Sequence, residues 1–250
     1  MNNNIIAAYK YNLYDNAKAI IIYYFVVLAV LALMTVGISV TTSGSMSLSG
    51  LDIATVNFLL IAGLVSFKES FRMFMQNGVS RKSIMASKIL SAVSIALIMT
   101  AADSVLSLIC KFIFMKADGM KYYSLFEQSY KTFVEGKSSL LIQLNMFAYN
   151  FLLYILMLAC GFFISLLFYR LNKGGKIAVA VGVPVALIIV FPLMDGLLFN
   201  SAVSKAITKF LYLAIGFTDR PYAGMLTFVI SSAIVFALSW LLLRRAVIKQ

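Results

Sequence analysis

Apolar residues fill six long stretches of this chain, at 19–40, 51–67, 84–114, 140–169, 177–194 and 222–243. Each approaches or exceeds the roughly 17–25 residues that a helix needs to cross a bilayer, so six transmembrane helices are expected. The residues between the stretches carry their own patterns. In the lead-in, Ile5, Tyr9 and Leu13 recur on one helical face with Ile6 beside them, while Asn3, Lys10 and Asn12 fall elsewhere. That spacing predicts an interfacial amphipathic helix over 1–18 that turns into the membrane at Ala19. In the longest polar stretch, 116–139, Tyr122, Phe126, Tyr130 and Phe133 form an aromatic stripe at helical spacing, with Lys121, Gln128, Lys131 and Glu135 largely off it. An interfacial helix or a gate that touches a substrate both fit that stripe.

The fifth stretch carries Pro184 and Pro192, with Gly182 nearby, and is followed by a shorter apolar run at 202–217 that holds Lys205 and Lys209. Burying two lysines at the membrane centre would cost about 2.5–3.5 kcal/mol each. A seventh crossing would also carry Arg244 and Arg245 to the far side. The run is therefore expected to form a re-entrant or interfacial hairpin, sheltered by protein where it enters the membrane.

Charge, helix-stop and helix-start signals meet in one short segment, 67–82. On a helix, Glu69, Arg72 and Gln76 share one face and Phe71, Phe74 and Met75 another. Asn77 and Gly78 then predict a helix stop, and Ser80 an N-cap. Arg81 and Lys82 follow in the first turn of the next helix, where the macrodipole disfavours cations. Their placement answers another demand, either anchoring on anionic lipid or contact with a partner.

Composition agrees with the pattern. The 250 residues are 62% hydrophobic and 12% charged, with a mean hydropathy of +0.96. A soluble domain is about half apolar and a quarter charged. The net charge of +12 reflects orientation rather than nucleic-acid binding: with the N-terminus in the cytoplasm, 13 of the 21 Lys and Arg lie on the cytoplasmic side. The connection at 41–50 carries no charge, whereas 170–176 carries Arg170, Lys173 and Lys176. Both termini are thus expected inside, and the first span is expected to stay as an uncleaved anchor.

The chemistry available is narrow. There is no histidine, which excludes a serine–histidine protease and a His-Glu-x-x-His zinc protease. Cys110 and Cys160 lie in apolar runs without metal-ligand spacing. Gly174, Gly175 and Lys176 lack the rest of a phosphate-binding loop, so the chain is not expected to hydrolyse ATP or to hold a cofactor or metal itself. Asp103 is the only carboxylate that lies well inside a predicted span, one short of a di-aspartyl protease. It could couple to protons, meet a cationic substrate, or be held by Thr100, Ser104 or Ser107.

Taken together, the interfacial lead-in, six spans, the charged helix–turn after the second and the apolar hairpin before the sixth resemble the ABC-2-type permease family, the membrane subunits of type V ATP-binding-cassette exporters. The resemblance covers the whole chain and is similar in size to the membrane subunits of phenol-soluble-modulin peptide exporters. It implies an all-α membrane protein in a bacterial cytoplasmic membrane that moves an amphipathic peptide, lipid or drug. Glu69, Gly78, Arg81 and Lys82 fall on the family's coupling helix, which docks into a separate ATPase; Gly78 lies farther from the acid than in many members. The implied partners are two ATPase chains, which hold ATP and magnesium, and a second copy of this chain or a paralogue. Two other readings stay open: a secondary transporter or channel built on Asp103, and a non-transporting immunity or assembly subunit.

Overall fold

A computed structural model of the chain describes residues 2–40, 46–115, 120–198, 201–216 and 220–246. Residues 41–45 of the first connection, Lys116 of the longest polar stretch and the C-terminal Lys249 lie outside these. The protein is a multi-pass helical membrane protein: six helices are long and apolar enough to cross a bilayer.

The first of them is a single unbroken helix, α1 (Asn2–Val40). The predicted interfacial helix with a turn at Ala19 is not a separate element, because residues 2–36 contain neither glycine nor proline to stop it. Its Ile5/Tyr9/Leu13 face is turned towards protein. Ala8 and Asn12 are buried, and the Tyr9 hydroxyl lies 2.9 Å from Ser94 Oγ on α4 (Arg81–Met115).

Between α1 and α4 run α2 (Leu51–Val65) and the nine-residue α3 (Lys68–Gln76). The aromatic stripe after α4 does not form one helix. Tyr122 lies in a strand, β2 (Met120–Tyr123), which pairs in parallel with β1 (Met46–Ser49). Ser124 then caps α5 (Leu125–Ser129), its hydroxyl accepting the Glu127 N–H while the Glu127 carboxylate accepts the Ser124 N–H. This reciprocal capping box starts a new helix two residues after Tyr122. A further turn, α6 (Lys131–Val134), leads to the long α7 (Ser139–Arg170).

The central helix is α7, packed against α2, α4 and the last helix, α11 (Pro221–Arg244). Its tightest crossing is with α2. A Cβ on Gly63 would sit 2.7 Å from the Leu158 carbonyl, and one on Gly161 would strike the Leu60 carbonyl. Only the two glycines together let these backbones touch.

The fifth span is α8 (Lys173–Val185), one π-helical turn (Ala186–Val190) and α9 (Phe191–Leu198). Pro184 and Pro192 cannot donate to the carbonyls one turn back, which accounts for the altered ladder. No side chain of α8 is buried. Asp195, 2% exposed at the end of α9, caps the next helix, α10 (Ala202–Ile215), by accepting the N–H groups of Val203 (3.0 Å) and Ser204 (2.8 Å) and the Ser204 hydroxyl. Lys205 and Lys209 are exposed on α10, which is not among the six membrane-length helices.

Candidate functional site

Each predicted site residue can be placed on one of two ends of the bundle. At one end stands α3. Phe71 and Phe74 are buried, while Glu69, Arg72 and Gln76 are exposed on the opposite face. Its base is aromatic: Phe67 stacks on Phe71 with centroids 5.0 Å apart, Phe162 and Tyr169 of α7 meet them edge-on, and Tyr11 of α1 meets Phe74 at 5.5 Å. Such edge and offset contacts favour one geometry. The helix ends as its sequence predicts. Gly78, at φ 70°, lets its own N–H reach the Met75 carbonyl (3.2 Å) and the Val79 N–H reach Phe74 (2.9 Å), a Schellman closure.

Ser80 then caps α4, accepting the Ser83 N–H at 3.2 Å. Arg81 reaches across to α11, where its guanidinium donates to the Arg244 carbonyl at 2.5 Å. A cation disfavoured by its own helix thus sits at the C-terminus of another, where the dipole favours it. Arg81 ties α4 to α11, while Lys82 and Gly78 are exposed beside α3.

Toward the other end lies a buried acidic centre. Asp103 of α4 is 7% exposed and points across the bundle rather than to Thr100, Ser104 or Ser107. Tyr154 of α7 donates to one carboxylate oxygen at 2.5 Å, Tyr24 of α1 to the other at 2.9 Å, and Thr55 of α2 adds a third hydroxyl. Tyr23 lies 2.7 Å from Thr55 Oγ1. Asp52, the second residue of α2, is 2% exposed and lines the same small cavity as Asp103. It accepts the Leu125 N–H at 2.7 Å and, more weakly, the Asn150 amide at 3.4 Å.

The segment around α5 closes this end. Besides the tie from Asp52 to the first N–H of α5, Glu127 accepts from Lys111 at 2.6 Å, and Tyr130 donates to the Ile215 carbonyl at 2.9 Å. Phe126 and Tyr130 are fully buried among Tyr149, Phe228 and their neighbours, so the stripe faces the protein core and not a membrane interface. Burial pushes the Tyr122 and Tyr130 phenols up, helped at Tyr122 by the nearby Asp52 carboxylate, so both stay protonated donors. The structure brings Tyr122 to the Asp52/Asp103 cavity but carries Phe126 and Tyr130 into the aromatic cluster above it.

Chemically, this centre holds two carboxylates that accept from hydroxyl, amide and backbone N–H donors. Among the described residues no three His, Cys, Asp or Glu side chains gather as a metal site. Tyr24, Asp52, Tyr154 and Asn150 were not singled out in the sequence, although polar residues within apolar runs were a usable signal. Compared with family models, curated proteins and solved structures, the chain matches none.

Proposed function

We propose that the chain is the permease subunit of an ATP-driven exporter of the ABC-2 type, with α3 as the element that an ATPase grips. The observation that carries this reading is α3 itself. An exposed polar face of Glu69, Arg72 and Gln76 is mounted on an aromatic bed to which α1, α7 and Phe67 at the α2–α3 junction contribute. A push on that face reaches the bundle core through packed rings and not through a flexible loop. In this reading the α3 end and both termini face the cytoplasm of a bacterium, and two copies of the chain pair around the path of an amphipathic substrate.

The hydroxyls that Tyr24, Thr55 and Tyr154 turn to Asp103 support a structural role for that acid more than a proton-coupled secondary transporter. The test is purification from native membranes. The wild-type chain is expected to bring an ATPase with it in stoichiometric amount and to stimulate its ATP hydrolysis. Glu69→Arg combined with Arg72→Glu is expected to lose both while the isolated chain keeps its thermal stability. Normal coupling in that double variant would remove α3 from the role, and absence of any ATPase partner would remove the function.

A further inference from the structure

Besides its buried acids the bundle holds a buried base, Lys88 of α4, 7% exposed and about 22 Å from Asp103 along the helix at 1.5 Å per residue. Its ammonium donates to the Ser66 carbonyl at 2.6 Å, at the junction of α2 and α3. An ammonium carries three N–H donors. No other acceptor for it is found among the described residues, and the one ion pair among them is Lys111 with Glu127. Asp15, on α1, is exposed and outside ion-pair distance.

Lys88 opens instead onto a partly open cavity of about 20 Å³ bounded by α1, α2, α4, α7 and α11. Asn16, Ser66 and Ser91 line its polar side, and Ile95, Phe162 and Phe236 its apolar side. Asn16 spends one amide proton on the Asn12 carbonyl at 2.7 Å and has a second to offer. A desolvated cation with unspent donors is costly unless an opposite charge meets it. About 20 Å³ is room for one water-sized group.

We infer that Lys88 and Asn16 form a binding site for a single compact anionic centre, either a free small anion such as chloride or one oxygen of the carboxylate that ends an amphipathic molecule. Nζ supplies charge and up to two hydrogen bonds, and the Asn16 amide supplies another. The cavity has room for that one atom alone, so the hydrocarbon that follows a carboxylate would lie outside it. The inference stands on the cavity alone and does not depend on an ATPase partner.

The test uses the purified full chain in a neutral maltoside detergent, with sodium gluconate as the reference salt. Chloride replacing gluconate at constant ionic strength, and dodecanoate compared with dodecanol, are each read as a shift in Tm. Wild type is expected to show a saturable rise of about 3 °C with at least one anion. Lys88→Met is expected to lose the rise and Lys88→Arg to keep it. Asn16→Ala, which leaves the ammonium in place, is expected to raise the half-saturating concentration roughly tenfold. A rise with chloride identifies a free anion, and a rise with dodecanoate alone identifies a carboxylate end. The proposal is overturned if neither anion stabilises wild type beyond its reference, if Lys88→Met responds like wild type, or if Asn16→Ala binds unchanged.

Discussion

Asp103 and Lys88 lie on one buried stripe of the same helix, yet they are treated in opposite ways. The acid receives hydroxyls from three other helices, Tyr24, Thr55 and Tyr154, while the base touches one carbonyl. Ala92, Ile95, Ala96 and Met99, all buried, separate the two with an apolar stretch. A buried charge must be compensated, and the number of partners shows whether the protein does so itself. Asp103 is a knot that holds α1, α2, α4 and α7 together. Lys88 keeps donors for something else. Exposure alone does not separate them, since each is 7% exposed.

The comparison is broken most sharply at Asp103. Asp103→Leu removes an acceptor that three hydroxyls share: Tyr24 keeps the Met99 carbonyl and Thr55 keeps Tyr23, while the buried Tyr154 hydroxyl loses its acceptor. Each lost bond to the carboxylate costs about 1–3 kcal/mol before relaxation. The expected outcome is the largest loss of thermal stability of any single change at either centre, about 3–5 kcal/mol. Asp103→Asn keeps an oxygen acceptor and should lose distinctly less. Thermal unfolding in neutral detergent measures both. Equal, small losses would mean that the hydroxyls find other partners and that the knot is not one.

Asp52 sharpens the picture because it shares the cavity but serves the cap. Its carboxylate accepts the first N–H of α5, an arrangement favoured by the helix dipole as well as by the hydrogen bond. Asp52→Ala is expected to cost about 1–2 kcal/mol, and to raise hydrogen exchange over α5 and α6 while α3 and the start of α4 keep their protection. If exchange rises along the whole bundle instead, Asp52 belongs to the knot and not to the cap.

Much of α3 was legible because its signals are local. The Gly78 stop, the Ser80 cap and the split of Glu69/Arg72/Gln76 from Phe71/Phe74 depend on residues within a few turns of one another, and the structure keeps all of them. Six membrane-length helices were legible for the same reason. The two centres were not, because they are made by pairs far apart in sequence. Tyr24 meets Asp103, Asn150 meets Asp52 and Lys88 meets Ser66. No period of 3.6 marks such pairings. The burial of Asp52 was not legible because it stands at the end of a span, where water is expected, while the α5 segment folds over it. The capping box of Ser124 and Glu127 was a local signal, and it outweighs the aromatic periodicity that crosses it. Gly63 and Gly161 show the other limit: each is unremarkable in its own helix, and only their meeting explains them.

The smallest expected effect tests the comparison from the other side. Lys88→Met gives up one hydrogen bond to Ser66 but also removes the desolvation cost of a buried ammonium that the protein leaves largely uncompensated. Methionine fills nearly the same volume with an apolar, flexible chain. In anion-free gluconate buffer the two effects should nearly cancel, and stability should change by no more than about 1 kcal/mol in either direction. The Ser66 carbonyl also accepts from Ser70 Oγ at 2.5 Å, so the α2–α3 junction keeps an acceptor–donor pair without Lys88. A loss as large as that of Asp103→Leu would show that Lys88 is a structural tie like the acid, and that counting partners does not tell a knot from a site in this bundle.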